Sequence, residues 1–158
     1  RFSASSADKP KLEVSTSAAH ADPRRAAALA YTRPLPSQRS PPMSAIERHG
    51  VTARYADAVI HAGVLHLVEV PASSAGSIEA QTREVLESVG RQLAKLGSDP
   101  ARILMATIYL VDMADYAGMN AVWDAWVPPG SAPARACVQV AGLADPGWRI
   151  EIALTAAR

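Results

Sequence analysis

An α+β layered fold is predicted for residues 43–158 from three observations. The apolar segments run in the order β-β-α-β-α-β-β. Only two segments carry helical periodicity, and the others have the length and alternation of strands. Two helices cannot cover both faces of a sheet of that size, so both are expected on one face. The bare face needs cover, and a second copy of the chain is the simplest source.

The first two strands are expected near 54–61 and 64–70, where residues are apolar and β-branched. Ala62-Gly63 breaks the run and reads as a hairpin turn. Pro71 ends the second strand because it has no N–H for a ladder. The first helix follows. Ser77 is its N-cap and Glu79 sits in its first turn, where the helix dipole favours a carboxylate. Ile78, Thr82, Val85, Leu86, Val89, Leu93 and Leu96 form its apolar face. Gly97 closes it and Pro100 prevents continuation.

Residues 103–111 (ILMATIYLV) form one apolar run, as a central strand requires. Asp115 is expected to cap the second helix, whose apolar face is Tyr116, Met119, Val122, Trp123 and Trp126. Pro128-Pro129-Gly130 stops it. In 134–140, Ala134, Ala136, Val138 and Val140 face one way, and Arg135, Cys137 and Gln139 the other. Residues 142–147 form a turn. Ile150, Ile152 and Leu154 then alternate with Arg149, Glu151 and Ala153 in a last strand.

Composition separates this body from the chain's first 42 residues. Of twelve prolines, six precede residue 43, and 1–42 carries seven basic and three acidic groups. The remainder carries nine basic and twelve acidic groups, so the overall +1 is a basic tail added to an acidic body. Residues 1–42 are expected to be a disordered, non-native tail with Met43 as the true start. A transit peptide or a basic interaction arm are the alternatives. The single cysteine, Cys137, excludes an internal disulfide and a Cys-cluster zinc site. No apolar run reaches transmembrane length, and no nucleotide-binding or zincin motif is present, so no membrane partner, cofactor or metal is expected.

Arg135 is the first candidate for chemistry. A guanidinium at the opening of a strand, among small neighbours, can bind a carboxylate through two parallel hydrogen bonds. Extension into solvent is the alternative. Glu151, between Ile150 and Ile152, can hold a water or act as acid or base. Its alternative is a structural ion pair with Arg149 or Arg135. If 142–147 closes a simple hairpin, Glu151 shares a face with Cys137 and Arg135. Cys137 lacks a nearby base and reads as a buried thiol. Asn120 is the polar residue among apolar helix neighbours, either solvent-facing or placed at a cleft. His61 and His66 lack a third ligand and read as isolated strand histidines.

Residues 45–158 resemble the reactive-intermediate deaminase family, also called Rid or YjgF-like. The resemblance rests on VIHAG (59–63), QTREVLESVGRQLAKLG (81–97), ILMATIYLVDMADYAGMNAVWDAW (103–126), PARACVQV (133–140) and RIEI (149–152). It implies a chorismate-mutase-like homotrimer with ligand clefts between subunits and a cytoplasmic location. It further implies hydrolysis of enamine and imine intermediates of 2-keto acids to the keto acid and ammonia. The family's carboxylate-binding arginine falls on Arg135 and its water-positioning glutamate on Glu151. Substrate-binding positions fall on Gly63, Asn120 and Cys137. Two departures stand out. Ala62-Gly63-Val64 replaces a common Ser-Gly-Gln, and His49 sits near a position often held by tyrosine. A non-catalytic keto- or imino-acid-binding or chaperone-like module is the alternative, as is ribonuclease activity. The acidic body, without a basic stripe, argues against a nucleic-acid partner.

Overall fold

A computed structural model describes residues 45–158. The expectations for residues 1–42 lie outside that range. The described elements are β1 (Glu47–His49), β2 (Ala58–His61), β3 (Val64–Glu69), α1 (Ile78–Lys95), β4 (Ile103–Leu110), α2 (Tyr116–Trp126), β5 (Ala134–Gln139) and β6 (Ile150–Ala157). They form one six-stranded sheet in the order β1-β2-β3-β6-β4-β5. The fold is α+β, as expected, with one strand more. β1 is three polar residues paired with β2, too short to leave a periodic signal.

β2 starts at Ala58, later than residue 54, because a side chain captures the preceding backbone. The Thr52 hydroxyl accepts from the amides of Arg54 and Tyr55 and donates to the Tyr55 carbonyl. The β2–β3 turn has positive φ at both central residues, Ala62 (50°) and Gly63 (77°). That backbone twist matches the right-handed twist of paired strands, and Gly63 adopts it without a Cβ clash.

α1 follows its sequence signals closely. Ser77 accepts from the Ala80 amide. At the other end, the Ser98 amide reaches the Leu93 carbonyl and the Gly97 amide the Ala94 carbonyl, with Gly97 at φ 80°. This pairing satisfies carbonyls that the helix end leaves open. Val85, Leu86, Val89 and Leu93 are fully buried against the sheet.

The second helix corrects two expectations. Asp115 does not cap through its side chain. The capping carboxylate is Asp112, which accepts from the Ala114 amide at 2.8 Å and starts a short 3-10 turn, Met113–Asp115, ahead of α2. Asp115 is instead committed to Arg149. Tyr116 is exposed, because the extra turn carries it out of the apolar face, while Met119 and Trp123 are buried.

The largest correction concerns β5. It forms no hairpin with β6. It pairs in parallel with β4, and β6 inserts antiparallel between β3 and β4. Helix α2 makes the crossover that a parallel pair requires. β5 is therefore an edge strand. Register assigns the faces: Ala106 stands beside Arg135 on one side and Leu154 on the other, whereas Tyr109 stands beside Val138 and Glu151. Ala106, Ile108, Leu110, Ile150, Ile152 and Leu154 face the helices and are buried. The opposite face is bare, with Val68 54%, Met105 40% and Val138 42% exposed.

Candidate functional site

Arg135 emerges from β5 on the helix side, over α2. Its Nη1 donates to Asn120 Oδ1 at 2.9 Å. Its guanidinium carbon lies 5.2 Å from the centre of the Trp123 ring. Both partners come from α2, where residues 120 and 123 share a face because they are one turn apart. Trp123 is itself held in the core and tilted against Trp126, ring centres 6.1 Å apart. The stacking fixes one face of the guanidinium, and Asn120 takes one of its donors. The remaining N–H groups are a fork of the geometry that can bind a carboxylate in two parallel hydrogen bonds.

Cys137 is two residues on, beside Ile108 and on the same face as Arg135. Burial pushes its thiol above the ordinary value, with the Arg135 cation pulling the other way. A raised thiol ionises less readily to the nucleophilic thiolate.

Glu151 does not join this group. The sheet places it beside Tyr109, on the face opposite to Arg135 and Cys137. The shared-face expectation fails because the assumed β5–β6 hairpin does not exist. Glu151 has no ion pair among the described residues: Arg149 is bound to Asp115 at 2.5 Å, and Arg135 to Asn120. Glu151 lines a cleft of about 480 Å³ with Tyr55, Asp57, Glu69, Gln92 and Trp148. Burial raises the Glu69 carboxyl above its ordinary value. A hydrogen bond with Ser88 lowers it, nearby Asp57 raises it further and Arg91 lowers it.

Gly63 is also apart. It lies in the β2–β3 turn, and its carbonyl accepts from the Arg158 amide. Val64 is registered with Ala157, six residues along β6 from Glu151, roughly 20 Å of strand. His49 sits on β1 near Glu47, 4.0 Å away, and the tyrosine in the cleft is Tyr55. The sequence pattern puts Tyr55 at the start of a strand. An exposed tyrosine just ahead of a β-branched run was the available signal. Among the described residues no three His, Cys, Asp or Glu side chains gather as a metal site. No described helix is long and apolar enough to cross a membrane.

Residues 45–158 match the protein family described as endoribonuclease L-PSP. A RutC family protein of Haemophilus ducreyi is 44% identical over 113 residues, 71% of this chain and 96% of that protein. A 3-aminoacrylate deaminase RutC of Acinetobacter baylyi is 37% identical over 124 residues, 77% of this chain and 94% of that protein. A crystal structure of a YjgF protein family member from Neisseria meningitidis superposes with a TM-score of 0.69 at 49% identity, covering 72% of this chain and 95% of that one.

Proposed function

This chain belongs to the endoribonuclease L-PSP family, which takes in the Rid/YjgF-like and RutC proteins, and on that premise we propose that it hydrolyses 2-imino acids and their enamine tautomers to 2-keto acids and ammonia. The observation that carries the proposal is the prepared guanidinium of Arg135, stacked on Trp123 and oriented by Asn120. Such a group is matched to a small carboxylate. The deaminase RutC relative, whose named substrate is an enamine acid, supports the same reaction class.

In this mechanism Arg135 anchors the carboxylate, and the Asn120 amide nitrogen and the Cys137 backbone line the site. Glu151 holds a water against the imine carbon. The water oxygen bonds to that carbon and the C=N electron pair passes to nitrogen. Glu151 relays one proton from the water to nitrogen, the C–N bond breaks and ammonia leaves, and the remaining hydroxyl proton passes to Glu151 as the carbonyl forms. A protonated imine is already electrophilic, so positioning provides much of the acceleration and no metal step is invoked.

Arg135 and Glu151 lie on opposite faces of one sheet. A complete site therefore takes Arg135 from one copy and Glu151 from another. The bare face carrying Val68, Met105 and Val138 provides an apolar surface for that assembly, a homotrimer in this reading.

The test is a coupled assay. An amino-acid dehydratase generates 2-iminobutyrate, and 2-ketobutyrate release is timed with and without the protein. Acceleration that disappears in Arg135→Ala, with the circular dichroism unchanged, is the expected result. Binding of 2-ketobutyrate without acceleration replaces the enzyme with a sensor. Cleavage of RNA by the wild type, unaffected by Arg135→Ala, replaces it with a ribonuclease.

A further inference from the structure

Gln81 is 0% exposed on a helix face otherwise committed to packing. A buried primary amide is costly unless both its ends are paired. Here both are. Gln81 Nε2 donates to the Gly147 carbonyl at 2.8 Å, and Oε1 accepts from the Arg149 amide at 2.8 Å. The two partners are backbone groups of the loop that leads into β6.

The same short stretch is tied at two further points. The Arg149 guanidinium binds the Asp115 carboxylate through Nε (2.8 Å) and Nη2 (2.5 Å). At Gly147 the backbone lies directly on the loop ahead of α1, leaving no room for a Cβ against the Ser74 carbonyl oxygen. Three tethers thus converge on 147–149. The residues beside them, Ala144, Trp148 and Glu151, form one wall of the cleft described above.

Only a side chain that donates from one atom and accepts at its neighbour satisfies both backbone groups at this reach. Methionine fills the volume and orphans both. An ionised glutamate accepts but donates nothing. The energy of burying Gln81 is therefore converted into a defined loop position, not merely into core volume.

We propose that Gln81 is a positioning residue: by clamping Gly147 and Arg149 it sets where Trp148 and Glu151 stand, and so acts on the water-holding half of the site and not on the carboxylate anchor. The proposal rests on the hydrolytic reading above. Support groups of this kind matter because a displacement near 1 Å at a reacting group costs about a hundredfold in rate.

The experiment uses Gln81→Met in the full chain. Three quantities are measured: kcat for 2-iminobutyrate, the affinity for 2-ketobutyrate, and amide hydrogen exchange by mass spectrometry. The expected kcat falls about ten- to hundredfold. Affinity stays within about threefold of wild type, since Arg135 and its partners are untouched. Exchange quickens in 141–149 while β3, β4 and β6 stay protected. A kcat within about twofold of wild type overturns the proposal. So does a joint fall of kcat and affinity with faster exchange across the sheet, because that is general loss of structure. If the wild type shows no hydrolysis, the hydrolytic reading is what fails. The clamp is then decided by exchange alone: unchanged protection in 141–149 overturns it, and faster exchange there with 2-ketobutyrate affinity kept supports it. Should Gln81→Met not fold, Gln81→Asn serves. It keeps the amide but is one methylene short, and the same split between kcat and affinity is expected.

Discussion

The surroundings of Arg135 and of Glu151 are built in opposite ways. Arg135 is held by side chains: Asn120 and Trp123, both from α2, within sixteen positions of it in the chain. Glu151 follows a stretch held from outside its own strand. Gln81 binds the Arg149 backbone, Asp115 binds the Arg149 guanidinium, and the cleft is lined by Tyr55, Glu69 and Gln92 from distant parts of the sequence. Under the proposed hydrolysis the difference separates two tasks. An anchor for a charged group gains from a rigid, stacked cation with donors already aimed. A group that holds water gains from a wall whose place is set and whose own atoms stay free. Glu151 accordingly keeps its carboxylate out of ion pairs among the described residues, while Arg149 beside it is paired.

The comparison is broken most severely at the anchor. If Arg135 anchors the substrate as proposed, Arg135→Ala removes two charge-assisted hydrogen bonds to its carboxylate, so kcat/KM is expected to fall at least about a hundredfold, near 3 kcal/mol. Glu151→Ala is expected to be equally inactive for the other reason. Mixing the two variants, unfolding and refolding them together, should restore turnover, because mixed assemblies bring an intact Arg135 against an intact Glu151. Mixed samples as inactive as either parent would show that the two residues do not meet between copies.

Asp115→Ala comes next. It leaves Arg149 half in solvent, so the cost is below that of orphaning a fully buried charge, about 2 kcal/mol of stability or several degrees in Tm by calorimetry. A loss of kcat with 2-ketobutyrate affinity kept would place Asp115 with Gln81 on the water-holding side. Trp123→Leu loosens the anchor by removing the ring under the guanidinium. Cation–π contacts of this kind contribute about 1 kcal/mol, so affinity for 2-ketobutyrate should weaken about fivefold by calorimetric titration, with kcat little changed.

The smallest effect is a pH signature of the Glu151 cleft. Burial raises the Glu69 carboxyl above its unfolded value, so the folded chain holds that proton more tightly. Stability from this group is present at low pH and declines as pH rises through the interval between the unfolded and the raised folded value. Glu69→Gln mimics the protonated form. It should raise Tm at pH 7 by about 2 °C or less and leave it unchanged at pH 4. An equal shift at both pH values would mean that the carboxyl does not titrate on unfolding.

Much of this was readable in advance, and the parts that were not share a cause. Ser77, Gly97, the apolar face of α1 and the turn at Ala62-Gly63 follow from rules that span a few residues, and the structure repeats them. The Arg135 surroundings were half readable: Asn120 stood out as polar among apolar neighbours, but Trp123 counted only as core. Gln81 left no trace, because a glutamine on a helix is an ordinary surface residue until a loop 66 positions away comes to lie on it. Asp115 misled for a similar reason. Aspartate before a helix reads as a cap, and only its approach to Arg149 reassigns it.

The chain's own pattern determined the elements, most of their caps and the burial of one face of each, and it put Arg135 and Glu151 forward as candidates. Hydrophobic period, capping oxygens and positive-φ glycines act within one element, and each is encoded where it is used. Which strands became neighbours was decided only by tertiary structure, since any two apolar strands can pair and the connection from β5 to β6 is compatible with a hairpin or with β6 inserting elsewhere in the sheet. That choice made β5 a parallel edge strand, set β6 between β3 and β4, and put Arg135 and Glu151 on opposite faces of one sheet.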